Sequence, residues 1–164
     1  MTYNRLVELY DKLVEDPQFV VKVRDFIGRI AVRGQLLPQS SGETVHPELK
    51  SIVENTNTGS THLSSSWVCI NLHSVLTFKY GKRLPAEKRF REGPVPVFGA
   101  NGVVSYTEYS LSDLPAIIVG RKGSAGALNI CEGPSWTTDV AYYIEVPRFF
   151  NTRCLCLLLE SLNL

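Results

Sequence analysis

The spacing of apolar residues divides this chain into a helical beginning and a strand-rich remainder. Apolar positions recur every three or four residues between residues 3 and 15 and again between residues 19 and 31, which is the period of amphipathic helices. Asp16-Pro17 separates the two segments, and Arg33-Gly34 supplies a cation and a glycine at the end of the second. The pattern therefore predicts two short helices that pack as a hairpin; a simple helical cap on the following domain is the alternative.

Residues 40–66 have few apolar positions and many Ser, Thr, Asn and Gly residues. The exception is the segment 46–54, in which Pro47 occupies a favourable first helical position and predicts a short helix. Residues 55–66 have the composition of a linker, and we expect a domain boundary there.

From residue 67 onward the apolar residues form short runs separated by polar turns, which is the pattern of β-strands. The continuous apolar run from Ala116 to Val119 predicts a strand buried on both faces. Asn101-Gly102 predicts a tight turn between two other runs, because both residues tolerate positive φ. Strands are expected near 67–72, 95–98, 103–106, 116–119, 127–130 and 140–146, and a helix is expected over 149–162.

The buried run opens into the segment Gly120–Gly126, in which three glycines surround Arg121 and Lys122. Such a loop lets backbone N–H groups and two cations approach an anion together. Three interpretations are open. A phosphate-binding loop of an NTPase would need Lys-Ser/Thr after the last glycine, which is absent. A plain turn would leave both charges in solvent, and a nucleic-acid contact would use the planar fork of Arg121.

Four sequence blocks follow one another in this strand-rich part at ordinary spacing. They are FKYGKRLP (78–85), PVPVFGANGVV (94–104), IIVGRKGSAGAL (117–128) and WTTDVAYYI (136–144). Their order resembles the target recognition domain of type I restriction–modification specificity subunits, and of relatives fused to methyltransferases. A further segment, IGRIAVRGQLLPQ (27–39), is similar to one that adjoins the long spacer helices of that family.

The resemblance implies an α+β fold, in which a curved mixed β-sheet of short strands is flanked by helices. It implies a spacer-like helical arm at 1–39, a linker with a short helix at 40–66 and a DNA target recognition domain at 67–164. It also implies a chain with no catalysis of its own and no cofactor. Such a chain recognises one half of a bipartite target in double-stranded DNA. Partner methyltransferase subunits, and through them the restriction subunit, do the chemistry.

Charge bears on this interpretation only through its distribution. The 164 residues carry a net charge of +1, but residues 79–92 carry six cations against two acids, a local +4. Clustered positive charge is expected of a surface that meets DNA phosphates, and it is also common on plain solvated faces. Phe90 lies between two arginines of this segment, where it could stack on nucleic acid or anchor the loop to the core.

The candidate DNA-binding residues combine these cations with polar and aromatic residues of the four blocks. They are Lys79, Tyr80, Lys82, Arg83, Lys88, Arg89, Arg91, Asn101, Tyr106, Arg121, Lys122, Ser124, Trp136, Thr137 and Thr138. The sharpest hypothesis concerns Arg121, because its fork fits guanine O6 and N7, or one phosphate, whereas Lys122 offers a point charge.

Other chemistry is sparse in the sequence. The four cysteines form no C-x-x-C pair and have no histidine at ligand spacing, so no metal site is predicted. No nucleophile–base pair or carboxylate pair stands out. This absence weighs against the main alternative function, an enzyme that holds an anion on the glycine loop. A protein-interaction module based on the arm is another alternative. We expect a cytoplasmic protein without a signal peptide or membrane span, which self-associates through the apolar helices at 3–33 and 149–162.

Overall fold

The structure is a computed structural model that describes Tyr10 and residues 15–32, 34–38, 42, 44–54 and 70–162. The chain divides into two compact units, Met1–Ser41 and Gly42–Leu164. The predicted linker at 55–66 and most of the predicted first helix at 3–15 lie outside the described residues.

In the first unit, helix α1 (Phe19–Val32) forms where the apolar spacing predicts it. Asp16 lies just before the helix, and its carboxylate accepts a hydrogen bond from Lys22 Nζ at 2.6 Å. That bond lowers the pKa of the Asp16 carboxyl. Gly34, at φ 65°, ends the helix and donates its N–H to the carbonyl of Ala31 at 2.9 Å, as expected of a terminal glycine.

The second unit combines helices and short strands. Helix α2 (Pro47–Glu54) begins at the predicted proline. The strand expected at 67–72 does not extend to Leu72, which begins a 3-10 turn that ends at Ser74. The strands are β1 (Lys79–Tyr80), β2 (Val95–Gly99), β3 (Gly102–Thr107), β4 (Ala116–Gly120), β5 (Leu128–Cys131), β6 (Trp136–Thr137) and β7 (Ala141–Glu145), and helix α3 (Thr152–Ser161) follows them.

The described strands lie in two sheets. β1, β7, β4 and β5 form, in this order, a four-stranded antiparallel sheet. β3, β2 and β6 form a three-stranded mixed sheet, in which β2 is antiparallel to β3 and parallel to β6. The predicted α+β class is confirmed. The single mixed sheet implied by the resemblance is divided in two.

Strand β4 is the centre of the core and is buried along its whole length, as its apolar run predicts. Ile117 and Val119 belong to a cluster with Leu155 of α3. Ile118, on the opposite face, packs with Phe98 of the three-stranded sheet. The strand is therefore covered by a helix on one side and by a sheet on the other.

Helix α3 turns most of its apolar flank inward. Asn151 caps it, because its side-chain oxygen accepts the N–H of Cys154 at 3.0 Å. Leu155 and Leu159 are fully buried, whereas Leu157 is 50% exposed. Most of the apolar surface expected to be bare on this helix is thus covered within the unit, and self-association stays a prediction. None of the helices in the described ranges is long and apolar enough to cross a membrane.

Candidate nucleic-acid interface

One edge of the four-stranded sheet carries two tyrosines and an arginine, here called the tyrosine–arginine cluster (Tyr80, Arg121, Tyr142). The strand register creates it, because Tyr80 of β1 stands opposite Tyr142 of β7. Their ring centroids lie 4.7 Å apart. The guanidinium carbon of Arg121 lies 5.6 Å from the Tyr80 centroid and 5.8 Å from that of Tyr142, within cation–π range. Tyr80 is 64% exposed, so the cluster faces solvent.

The two tyrosine hydroxyls are linked. The hydroxyl of Tyr142 donates to that of Tyr80 at 3.5 Å. This hydrogen bond, together with desolvation, raises the pKa of Tyr142, and the nearby Arg121 opposes the rise. The Tyr142 phenol therefore stays protonated at neutral pH.

Arg121 is held by protein groups. Its Nη2 donates to the backbone carbonyl of Asp139 at 2.7 Å. The backbone N–H groups of Arg121 and Lys122 both donate to the carbonyl of Val140 at 3.0 Å. The Nε of Arg121 is buried and has no hydrogen-bond partner among the described residues. The interpretation as a plain turn, which would leave both side chains in solvent, therefore does not hold for Arg121. The Lys122 side chain is exposed, as that interpretation expects.

The glycine loop (Gly120–Gly126) lies directly against the turn between β2 and β3. A Cβ on Gly120 would stand 2.0 Å from the carbonyl oxygen of Ser124 and 2.5 Å from that of Ala100. Only a glycine permits this approach, which brings the neighbouring Asn101 close to the loop. Asn101 is exposed and Ser124 is half-buried. The structure therefore brings together predicted residues from two separate sequence blocks.

The basic loop (residues 82–91) starts at a second close approach. A Cβ on Gly81 would stand 2.0 Å from the carbonyl oxygen of Thr138. The backbone N–H of Lys82 donates to the carbonyl of Thr137 at 2.8 Å, and the carbonyl of Lys82 accepts the indole N–H of Trp136 at 2.9 Å. These bonds fix the backbone at the start of the loop. The side chains of Lys82 and Arg83 are exposed and make no polar contact within the described part of the chain.

The far end of the basic loop is anchored as well. Arg89 donates through Nε and Nη2 to the carbonyl of the buried Leu84, at 3.0 and 2.8 Å. Phe90 and Tyr106 exchange both backbone hydrogen bonds, at 2.8 and 2.9 Å. The Phe90 ring is nevertheless 45% exposed, so its backbone anchors the loop while its ring stays available for stacking. Lys88 lies 4.5 Å from the Tyr109 ring centroid.

Several predicted residues do not present their side chains to a ligand. Thr137 and Thr138 are only 1% and 4% exposed. The Thr138 hydroxyl donates to the carbonyl of Phe98 at 2.9 Å, because the parallel pairing of β6 with β2 places it against that strand. Lys79 is paired with Glu145, Nζ to Oε2, at 2.5 Å. We therefore remove both threonines from the candidate contact residues, and assign Lys79 and Trp136 to the support of the site.

Sequence reasoning missed Tyr142 and the carbonyl of Asp139. Tyr142 belongs to the run of β7, where an aromatic residue looks like ordinary core. Only the pairing of β1 with β7 shows that it meets Tyr80. A backbone carbonyl carries no sequence signal at all. No group of three or more His, Cys, Asp or Glu residues that could hold a metal occurs in the described part of the chain.

The fold matches solved structures of one class of protein. No protein-family model matches this sequence, and no curated protein does. The S subunit of the type I restriction–modification system from M. genitalium is 24% identical over 57% of this chain, with a TM-score of 0.52. The HsdS subunit from Thermoanaerobacter tengcongensis is 13% identical over 98%, with a TM-score of 0.50.

A third match is a chain of a type I R-M system, solved in work on its complex assembly and conformational transition. It is 13% identical over 97% of this chain, with a TM-score of 0.51. The aligned part is 26% of the M. genitalium subunit and 40% of each of the other two chains. The chain therefore has the α+β fold of type I restriction–modification specificity subunits and spans less than half the length of these relatives.

Proposed function

We propose that this chain recognises one half of a bipartite sequence in double-stranded DNA, as the specificity component, or part of it, of a type I restriction–modification system. One observation carries the proposal. On a domain with this fold, the anchored basic loop and glycine loop present exposed cations beside the tyrosine–arginine cluster. The cations in question are Lys82, Arg83, Arg91 and Lys122.

The arrangement suits duplex DNA for a physical reason. Phosphate contacts supply most of the affinity and set the position of the protein, whereas side chains at base edges supply discrimination. Anchored loops lose little conformational entropy when they bind, since their backbones are already fixed. Tyr80, Phe90 and Asn101 are exposed on the same unit as these cations and are our candidates for contacts with bases.

The proposal extends to organisation and partners. Residues 1–39 act as a spacer-like arm, residues 40–66 as a linker and residues 67–164 as the target recognition domain. Methyltransferase subunits bind the chain and carry the active site, and the restriction subunit joins through them in the cytoplasm. The alternative of an anion-binding enzyme has less support, because Arg121, the central cation of the glycine loop, already donates to Asp139.

Selection from a random duplex library tests the proposal. The chain is incubated with the library at several salt concentrations, and bound duplexes are sequenced. We expect one enriched motif and a linear fall of log affinity with log salt concentration. Heparin serves as the control polyanion. Binding to duplexes and heparin with no enriched motif would indicate a non-specific cationic surface, and no binding would favour the protein-interaction module.

The absence of catalysis is tested separately. The purified chain, supplied with a methyl donor or ATP and the selected duplex, is expected neither to methylate nor to cut it. Addition of a cognate methyltransferase subunit should produce methylation at the selected motif. Methyl transfer by the chain alone would contradict a non-catalytic role.

A further inference from the structure

The antiparallel pair β2–β3 exposes two adjacent valines. Regular alternation would send one side chain of each neighbouring pair inward. A register shift between Val97 and Phe98 interrupts it, so that β3 has an extra residue opposite this point of β2. Val103 and Val104 are consequently 46% and 61% exposed.

The side chain of Val104 also packs against the backbone of Gly99. A Cβ on Gly99 would stand 2.9 Å from Cγ1 of Val104, so the side chain occupies the space that the glycine leaves free. An exposed valine with one packed methyl group has few orientations to lose on binding. Val104 is therefore a fixed part of this apolar surface.

The valines belong to an open groove of about 480 Å³. Phe90 and Arg91 line it from the basic loop, which is tied to the edge of β3 by the backbone hydrogen bonds between Phe90 and Tyr106. The groove thus combines an apolar floor with a cation.

We propose that this groove receives the major-groove edge of DNA and that Val103 and Val104 contact the C5-methyl group of a thymine. The inference rests on the proposed function and adds a class of base contact to it. The thymine methyl is the apolar group that lies in the major groove, where the apolar floor of the protein's groove would meet it. Methyl groups in that groove are flanked by phosphates, which complements Arg91 and the local +4 of residues 79–92.

A duplex in which deoxyuridine replaces thymine tests the contact, because it lacks only the methyl group and keeps every hydrogen bond. The enriched duplex from library selection is synthesised with each thymine replaced in turn. For the wild-type chain, one replacement is expected to weaken binding roughly fourfold, the value of one buried methyl group. For Val104→Ser, the same replacement should have a clearly smaller effect, because one of the two contacting valines is removed.

Leu157→Ser is the matched control, since it removes an apolar residue of comparable exposure, 50% against 61%, from α3. It should keep the full sensitivity to deoxyuridine. Unfolding midpoints of both variants close to that of the wild type would show that folding is intact.

Each other outcome overturns the contact. If a motif is enriched but contains no thymine, or if every replacement is silent, the groove does not read a methyl group although DNA recognition stands. If the deoxyuridine replacement weakens binding equally for Val104→Ser and for the wild type, the methyl contact lies elsewhere in the protein. The groove would then suit a protein partner with an acidic rim. If no motif is enriched at all, the proposed function fails together with this inference.

Discussion

Apart from Lys88, which lies over the Tyr109 ring, the cations of β1, the basic loop and the glycine loop form two groups that differ in what their side chains already bind. Lys79, Arg89 and Arg121 are engaged with Glu145, the Leu84 carbonyl and the Asp139 carbonyl. The second group is exposed and has no side-chain partner within the described ranges; it consists of Lys82, Arg83, Arg91 and Lys122. The groups alternate along the same loops, so charge alone does not distinguish them.

The two groups have different roles: the engaged cations hold the loops in place, and the exposed cations are free to contact a ligand. An arginine that donates to a backbone carbonyl fixes a loop, and removing it leaves a polar group unpaired. A solvated cation has no bond within the protein to break, and counterions are released when it meets a phosphate. We therefore expect changes in the engaged group to alter stability and changes in the exposed group to alter the salt dependence of binding.

The largest effect is expected from the exposed group. Changing Lys82, Arg83, Arg91 and Lys122 together to Gln should reduce the salt slope of DNA binding by about 3 to 4, because each phosphate contact contributes roughly 0.9. The free energy of unfolding should move by less than about 0.5 kcal/mol. Duplex titrations between low and moderate salt measure the slope.

The control for the exposed group removes charge elsewhere in the same unit, by changing Lys50, Arg148 and Arg153 to Gln. Its slope should remain that of the wild type. An unchanged slope in the quadruple variant would remove the two loops from the interface.

The contact between the glycine loop and the β2–β3 turn should be the most sensitive to a small substitution. Gly120→Ala places a methyl group 2.0 Å from one carbonyl oxygen and 2.5 Å from another, so we expect a loss of about 3 kcal/mol in stability. Chemical denaturation measures it. Gly133→Ala is the control, since nothing lies within 4 Å of its Cβ position. Equal stability of the two variants would show that the loops do not meet as described.

Arg121→Lys separates the effect of the hydrogen bond to Asp139 from the effect of the positive charge. It retains the charge but loses the fork, so stability should fall by about 1–2 kcal/mol while the salt slope stays the same. Because Nη2 of Arg121 is bound to the Asp139 carbonyl, the arginine holds the loop in place. We therefore expect the substitution to lower the affinity alike for all duplexes. Lys122→Arg is the control and should leave stability unchanged.

The same substitution also tests the hypothesis that Arg121 reads a base. A panel of single-base variants of the selected duplex is titrated against Arg121→Lys. A loss of about 1–3 kcal/mol at one position only would contradict a purely structural role and support a contact with guanine.

The smallest effect is expected at the ion pair of Lys79 and Glu145. Glu145→Gln should cost less than about 1 kcal/mol, because the pair is partly exposed, and should leave the salt slope unchanged. The hydrogen bond to Glu145 raises the pKa of Lys79 above its ordinary value of 10.5. Its contribution is therefore complete below pH 10.5 and is lost as the pH rises through the folded-state pKa.

Denaturation of wild type and Glu145→Gln at pH 8 and at pH 11 measures this dependence. The difference in stability between the two proteins should shrink at the higher pH. A difference that grows with pH would show that Lys79 is not stabilised in its charged form.

Much of the scaffold could be predicted from local sequence. The three-to-four spacing and Gly34 determine where α1 lies and ends, and the apolar run of β4 requires cover on both faces. Glycines mark the loops because backbone passes close to them, as at Gly120. The order of the four blocks predicted the α+β class, which the structure confirms.

The site itself depended on pairings between distant residues. Tyr80 and Tyr142 meet only because β1 adds to the free edge of β7. Thr137 of β6 and Thr138, which follows it, are buried because that strand pairs with β2. Arg121 and Lys122 are adjacent and equally charged in the sequence. Their difference arises because the folded chain places the Asp139 carbonyl within 2.7 Å of one of them. Local sequence determined which elements form and where cations cluster; tertiary structure decided which cations are already bound, because hydrogen-bond partners come from elsewhere in the chain.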